Sequence, residues 1–178
     1  MKSFALTYAH SLFSLAEDEN ITSEIYEELS GVLPLFKENP EYSVLLDSPT
    51  IPVSQRLNLI DEAFGTATEY VLNFIKILCE KKCVHLFSDC VREFEKLYNK
   101  KNNIEKVTAI TAVPLKDELR QKLVLKLEKE WGKKISLETK VDKSILGGII
   151  LRTENSQTDA SVRARLDRIR TQLASREV

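Results

Sequence analysis

"NKKNNIEKVTAITAV", from Asn99 to Val113, is the stretch where the sequence changes its periodicity. Asn99 to Asn103 form a polar linker, and from Val107 onward apolar and β-branched residues follow one another as they do in a strand. Upstream of the linker the apolar residues recur with a helical period, whereas downstream they alternate. The change predicts two domains, which cover residues 1–101 and 104–178.

The upstream half is helical nearly throughout. Ala9, Leu12, Phe13 and Ala16 recur at i, i+3, i+4 and i+7, which is the spacing of one helix face. Similar stripes follow, and helix ends are indicated at Pro40, since the residue before proline leaves the helical region, and at Gly65. We expect an N-terminal bundle of six helices joined by short turns.

The downstream half is predicted to be smaller and mixed. Strands are indicated at Val107–Val113, in "ISLETKV" and in the apolar run after Gly147-Gly148. One helix carries the apolar stripe between the first two strands, and another closes the chain from Ser161 to Leu173. The order is βαββα, so the whole chain is predicted to be mainly α with a smaller α+β part.

Composition excludes several classes of function. The chain has 178 residues, with 26 Lys plus Arg against 27 Asp plus Glu. A net charge of −1 gives no long-range field for a polyanion, so we expect no nucleic-acid partner. No apolar run approaches the roughly 18 residues of a membrane helix, and the N-terminus lacks a secretory signal. The sequence predicts a protein of the cytoplasm without direct membrane insertion.

The candidates for chemistry are few. Cys79 and Cys83, four residues apart, together with His85 imitate zinc-ligand spacing. Cys83 and His85, however, differ by about 200° around a helix, and Cys79 and Cys90 occupy apolar stripe positions. The thiols are therefore predicted to be reduced and metal-free.

Gly147-Gly148 precede a strand, whereas a phosphate loop follows one. The pair is predicted to serve the local backbone, where glycine lets a helix pack close to the sheet. With no acid–base pair in view either, we expect the chain neither to hydrolyse ATP nor to bind it tightly, and we expect no cofactor.

The last helix offers two readings. Asp159 precedes it and is predicted to be its N-cap. Its apolar residues are spaced 4, 3 and 4, a narrow seam of the kind that meets another helix or, through Ile149 and Leu151, the domain's own sheet. We expect the sheet to cover this seam, which consists of Val162, Leu166, Ile169 and Leu173. The flanking arginines, Arg163 and Arg170 among them, are either a solvated face or a partner contact, and pattern alone slightly favours the former.

Three stretches resemble one known family. "VDKSILGGIILR" (141–152) followed by "TDASVRARLDRIRTQL" (158–173) is similar to the C-terminal signature of the delta subunit of bacterial F-type ATP synthases, which is related to the mitochondrial oligomycin sensitivity-conferring protein. "YAHSLFSLA" (8–16) is similar to the first helix of that family. One departure is Ala160, which stands where the family usually has glycine.

The resemblance implies a non-catalytic stator subunit of the ATP synthase complex, peripheral on the cytoplasmic side of the bacterial inner membrane. It implies that the helical domain binds the N-terminal segment of an alpha subunit, and that the smaller domain binds the C-terminal end of the b subunits. The alpha segment is expected between helices one and five, near Tyr8, Ser11, Leu12, Leu15, Asn73, Phe74 and Ile77. Such a stator keeps the head from turning, so that proton or sodium translocation is coupled to ATP synthesis.

For the smaller domain, the residues that we expect to build or contact the stalk surface are Gly147, Gly148, Asp159, Ser161, Arg163, Leu166 and Arg170. Two other functions remain open at this point. One is a cytoplasmic helical adaptor unrelated to ATP synthesis, and the other is a small enzyme built on the Cys/His group.

Overall fold

The computed structural model describes residues 2–174, apart from the side chains of residues 2, 3, 169 and 172–174. The chain divides into two compact units between Tyr98 and Asn99. The predicted class, mainly helical with a small mixed sheet, is confirmed. Within the described residues, no helix is long and apolar enough to cross a membrane.

The first unit is built of helices alone among its described residues. Pro40 occupies the first turn of α3, where a missing N–H costs nothing, and Asn20 ends α1 with a positive φ of 59°. The helices are α1 (Lys2–Asp18), α2 (Thr22–Glu38), α3 (Pro40–Asp47), α4 (Val53–Phe64), α5 (Glu69–Glu80), a 3-10 helix (Val84–Leu86) and α6 (Phe87–Lys101).

The polar linker predicted at Asn99–Asn103 is wrong in detail. α6 continues through Lys101, and only a tight turn ending at Asn103, with a φ of 53°, separates it from the first strand. Asn99 lies on a helix because α6 as a whole is anchored by buried Phe87 and Phe94, which outweighs the weak helix propensity of asparagine.

Aromatic rings fill the core of the first unit. The Phe36 ring stacks on Phe64 with centroids 5.4 Å apart and lies 4.5 Å from the Phe87 centroid. Phe13 meets Phe94 edge to face at 5.4 Å. The first set of rings links α2, α4 and α6, and the second links α1 to α6, so ring contacts connect four helices.

A buried guanidinium joins three of the helices. Arg56 of α4 is only 1% exposed, and its Nη1 donates hydrogen bonds to the backbone oxygens of Leu46 and, at 3.1 Å, Cys79. Those oxygens belong to the last turns of α3 and α5, where carbonyls lack helical partners and the helix dipole is negative. The charge of Arg56 thus lies between the negative ends of two helices.

Asp47 makes a second polar connection nearby. Its carboxylate accepts hydrogen bonds from the backbone N–H of Val84 at 2.8 Å and of His85 at 3.1 Å. Both donors lie at the start of the 3-10 helix, where N–H groups have no partner within the helix. Asp47 therefore ties the end of α3 to the connection between α5 and α6. We call Arg56 and Asp47, with the groups that they bind, the polar clasp.

The second unit contains a four-stranded sheet in the order β2-β1-β3-β4. β1 and β2 run parallel, with α7 as the crossover, whereas β3 is antiparallel to both β1 and β4. The elements are β1 (Ile104–Thr111), α7 (Asp117–Trp131), β2 (Lys134–Val141), β3 (Gly148–Arg152), β4 (Gln157–Ser161) and α8 (Val162–Ala174).

One face of the sheet forms the core of this unit. Val107 and Ala109 of β1 alternate inward and, with Leu137 of β2, pack against Leu127 of α7. Ile149 and Leu151 of β3 complete the same face. α7 is the helix that covers it.

The predicted order βαββα omits β4 and is corrected to βαβββα. Gln157–Ser161 reads "QTDAS", which lacks the apolar alternation of a half-buried strand. It forms a strand because the short turn at Thr153–Ser156 folds the chain back on β3, where Leu151 pairs with Thr158 and Ile149 with Ala160.

Replacing Arg56 with methionine tests the polar clasp. The methionine keeps most of the side-chain volume but removes the charged donor from two carbonyls, and a hydrogen bond to a charged group contributes about 1.5–3 kcal/mol. We expect the free energy of unfolding to fall by about 2–4 kcal/mol, measured by urea denaturation with circular dichroism. Arg92→Met, which removes an exposed ion pair within α6, is the control and is expected to change stability by less than about 1 kcal/mol. An Arg56→Met protein as stable as the wild type would contradict this role.

Candidate partner-binding surfaces

The predicted residues of α1 divide between the core and the surface beside it. Leu12 belongs to the core, whereas Tyr8 is half-buried at its edge and Ser11 and Leu15 are exposed. Phe4, one turn before Tyr8 on the same side, is also exposed. Phe4 is not among the residues predicted from the sequence, although its i, i+4 spacing from Tyr8 places it on the same side of the helix. We call Phe4, Tyr8, Ser11 and Leu15 the α1 flank.

The predicted residues of α5 divide in the same way. Phe74 is buried, and its ring centroid lies 6.4 Å from that of Phe87. Asn73 and Ile77 are exposed beside it. Since Leu12 and Phe74 are core residues, the surface on α5 is reduced to Asn73 and Ile77 with half-buried Tyr70 next to them.

α1 and α5 both pack on one stripe of α6. Phe13 of α1 contacts Phe94, and Phe74 of α5 contacts Phe87. Phe87 and Phe94 are seven residues apart, two helical turns along the same side of α6. The two helices therefore share a common support, and their exposed flanks carry Leu15 and Ile77.

Two residues of the Cys/His group, Cys79 and His85, form hydrogen bonds with groups of the polar clasp. The His85 Nδ1 lies 2.6 Å from the Asp47 carboxylate, and the Cys79 thiol donates to the Leu46 oxygen beside Arg56. The Cys83 thiol donates to the backbone oxygen of Lys81. Across residues 2–174, no three His, Cys, Asp or Glu side chains are placed to hold a metal ion.

Two of the thiols are held in the neutral form. Burial raises the pKa of Cys90 to about 12, with Asp89 adding a smaller effect in the same direction. Burial also raises the pKa of Cys79, although Arg56 beside it acts to lower it. Neither thiol is activated as a nucleophile, because activation needs a lowered pKa.

Asp159 is not the N-cap of the last helix. It lies in β4, and its carboxylate accepts the backbone N–H of Ser161 at 2.8 Å. Hydrogen bonding from the Ser161 side chain, with a further contribution from this backbone bond, lowers the pKa of the carboxyl. Ser161 is the residue that caps α8, since its hydroxyl oxygen accepts the N–H of Ala164 at 3.2 Å. The sequence prediction was wrong because β4 extends to Ser161 and moves the start of α8 to Val162.

The glycine pair permits a close approach to the start of α8. Gly148 has a φ of +86°, and a Cβ atom there would lie 2.6 Å from the backbone oxygen of Ala160. The oxygen of Gly147 accepts the N–H of Val162 at 3.0 Å. The glycine pair therefore has the predicted local role in the backbone: it lets the start of β3 lie close to the end of β4 and the start of α8.

The expectation that the sheet covers the seam of α8 is wrong for the part described. Val162 is 45% and Leu166 57% exposed, whereas the side chains of Ile169 and Leu173 lie outside the described residues. The physical reason is that α7 already covers the apolar face to which Ile149 and Leu151 belong. Arg163 and Arg170 are exposed as well.

Comparisons with known proteins agree over nearly the whole chain. Residues 4–173 match the family described as ATP synthase delta (OSCP) subunit. The ATP synthase subunit delta of Clostridioides difficile is 34% identical over 169 residues, which cover 94% of this chain and 93% of the relative. The sodium-ion-specific subunit delta of Propionigenium modestum is 38% identical over 163 residues, which cover 91% and 93%.

A solved structure shares the fold. A chain in the cryo-EM structure of the Toxoplasma gondii mitochondrial ATP synthase hexamer matches with a TM-score of 0.72 and 24% sequence identity. The match covers 96% of this chain and 97% of that one.

The raised pKa of Cys90 predicts an alkaline loss of stability. A thiol whose pKa rises from 9.0 to about 12 on folding stabilises the fold fully below pH 9 and loses that contribution as pH rises toward 12. Cys90→Ala lacks the titrating group, so the free-energy difference between wild type and variant should be constant below pH 9. Above pH 9 the free energy of unfolding of the wild type should fall, relative to that of the variant, by roughly 1.4 kcal/mol per pH unit. Urea denaturation at pH 8 and 10 measures it, and an equal difference at both values would contradict the buried neutral thiol.

Proposed function

Because the chain belongs to the ATP synthase delta (OSCP) subunit family, we propose that its two units bind two different parts of that complex. The chain is a non-catalytic stator subunit of the F-type ATP synthase, and it links the catalytic head to the peripheral stalk. The observation that carries this function is identity above 30% to subunits named delta over more than nine tenths of both sequences.

The first unit is proposed to bind the head through the N-terminal segment of an alpha subunit. The supporting observation is that the unit leaves apolar side chains exposed on two helices that pack against the same side of α6, Leu15 on α1 and Ile77 on α5. An amphipathic helix with apolar residues at i, i+3, i+4 and i+7 suits such a surface.

The second unit is proposed to bind the C-terminal end of the b subunits. The supporting observation is that α8 carries apolar residues that its own sheet leaves exposed, with arginines beside them. On this proposal the chain lies at the cytoplasmic side of the bacterial membrane as a peripheral part of the complex. Its contribution is mechanical, because a head that turned with the rotor would leave ion translocation uncoupled from ATP synthesis.

Charged substitutions on the two flanks test the head contact. We expect Leu15→Asp and Ile77→Asp each to weaken binding of an alpha-subunit N-terminal peptide by about thirtyfold or more. The reason is that an apolar anchor is worth about 2 kcal/mol and a tenfold change in affinity about 1.4 kcal/mol. Isothermal titration calorimetry with the full-length chain measures the affinity. Circular dichroism verifies folding, which these exposed positions should not disturb.

Leu35→Asp on α2 is the matched control, because Leu35 is 48% and Ile77 44% exposed. The control is expected to bind the peptide as the wild type does. Equal binding by Leu15→Asp, Ile77→Asp and the wild type would move the head contact away from α1 and α5. Leu12 and Phe74 are unsuitable for this test, since they are core residues and their loss would unfold the unit.

A further inference from the structure

Most of the exposed large apolar side chains described in the second unit lie at one end of its sheet, and Leu125 and Trp131 of α7 are the exceptions. β1 and β2 are parallel and finish there, at Thr111 and Val141, and Ile149 near the start of β3 pairs with Thr111. The end of β4 and the first turns of α7 and α8 must lie at this end too, because β4 is antiparallel to β3 and α7 returns the chain to the start of β2. Six side chains at this end are 45 to 79% exposed, and we call them the apolar rim: Val113, Leu119, Val141, Leu146, Val162 and Leu166.

The backbone beneath the rim is held by hydrogen bonds. The N–H of Asp142 donates to the Thr111 oxygen at 2.9 Å, and the Thr111 hydroxyl donates to the Val113 oxygen at 2.8 Å. The N–H of Val162 donates to the Gly147 oxygen, directly after Leu146. The apolar side chains are thus presented on fixed backbone, so that a partner meets a surface that needs little ordering on binding.

The charges beside the rim have one sign along α8. At 100° per residue, Arg163 and Arg170 fall on one side of the stripe formed by Val162 and Leu166, and Arg165 falls on the other. All three arginines are exposed. A helix lying along the stripe would therefore meet positive charge on both of its edges.

We propose that the apolar rim is the docking surface for an amphipathic helix that has acidic residues on both edges of its apolar face, contributed by the C-terminal end of a b subunit. This inference rests on the proposed function of the second unit and adds the location and the chemistry of the contact. The apolar face covers Leu146, Val162 and Leu166, while the acidic edges lie against the arginines of α8. The rim supplies affinity, and the arginines accelerate association.

A second surface on the same unit offers a comparison. A shallow depression of about 490 Å³ lies along α7 and is lined by Asp117, Arg120, Gln121, Val124 and Leu125. Its lining comes from one helix, and only two of its five residues, Val124 and Leu125, are apolar, while Arg120 is already bonded to the Leu137 oxygen. It offers fewer apolar anchors than the rim, and its exposed Leu125 provides a control position.

The test is calorimetric titration of full-length variants with the cytoplasmic part of the b subunit from the same organism. Leu146→Asp and Leu166→Asp are expected to weaken binding at least thirtyfold, and Leu125→Asp is expected to bind as the wild type does. Circular dichroism and thermal melting establish that each variant is folded. Since Leu146 lies in a loop and is 79% exposed, it keeps the test valid if Leu166→Asp fails to fold.

Charge reversal is the second arm. Arg163→Glu with Arg170→Glu should slow association severalfold at low salt and less at high salt, because exposed charges are screened. Lys126→Glu on α7 is the control, with no expected change. Stopped-flow fluorescence of labelled b subunit gives the rates.

The outcomes separate the two claims. If the wild type binds the b subunit and the rim variants bind it equally well, the apolar rim is not the docking surface. The proposed stalk function of the second unit would remain intact. Loss of binding by Leu125→Asp alone would lead to the same conclusion and move the contact to α7. Wild type that does not bind b at all would overturn the proposed function, and the inference with it.

Discussion

Neither unit buries all of the apolar surface that its helices carry, so each unit keeps exposed apolar side chains that a partner can cover. In the second unit the sheet has one apolar face, and Leu127 with the rest of α7 occupies it, so that Val162 and Leu166 of α8 remain exposed. In the first unit the apolar arc of α1 is wider than the core, and Leu15 lies outside it. Exposed apolar patches of this kind mark interaction sites. A chain that joins two larger bodies needs one such patch on each unit.

A stator must also be stiff, because a soft link would store the torque that it is meant to resist. Arg56 and Asp47 connect the ends of α3 and α5 and the start of the 3-10 helix through hydrogen bonds, of which those of Arg56 are buried and that of the Val84 N–H is partly buried. Gly148 brings β3 against the start of α8, and Ser161 caps that helix. In both units the polar bonds lie where helices end, which is where backbone groups lack partners and would otherwise fray.

The elements that follow from the spacing of apolar residues could be predicted from the sequence. The features that depend on contacts with other elements of the fold could not. The helices and the strands with apolar alternation follow from spacing, whereas β4 is polar and is created by pairing with β3. Arg56 stands four residues before Ile60 on the buried side of α4, and nothing in the sequence says that two helix ends would meet it. The exposure of Leu166 depends on whether α7 or α8 covers the sheet, and the sequence of α8 alone does not determine this. The resemblance to the family predicts two partner-binding regions, but only burial separates exposed residues such as Ile77 from core residues.

The central claim is that one chain holds head and stalk at the same time through separate units. Native mass spectrometry of the full-length chain mixed with the catalytic head and the cytoplasmic part of the b subunits tests it most directly. The account predicts a single assembly that contains all three components, and its loss when this chain is omitted. Binding of head and b that is mutually exclusive, so that only two-component assemblies form at saturating concentrations, would contradict it.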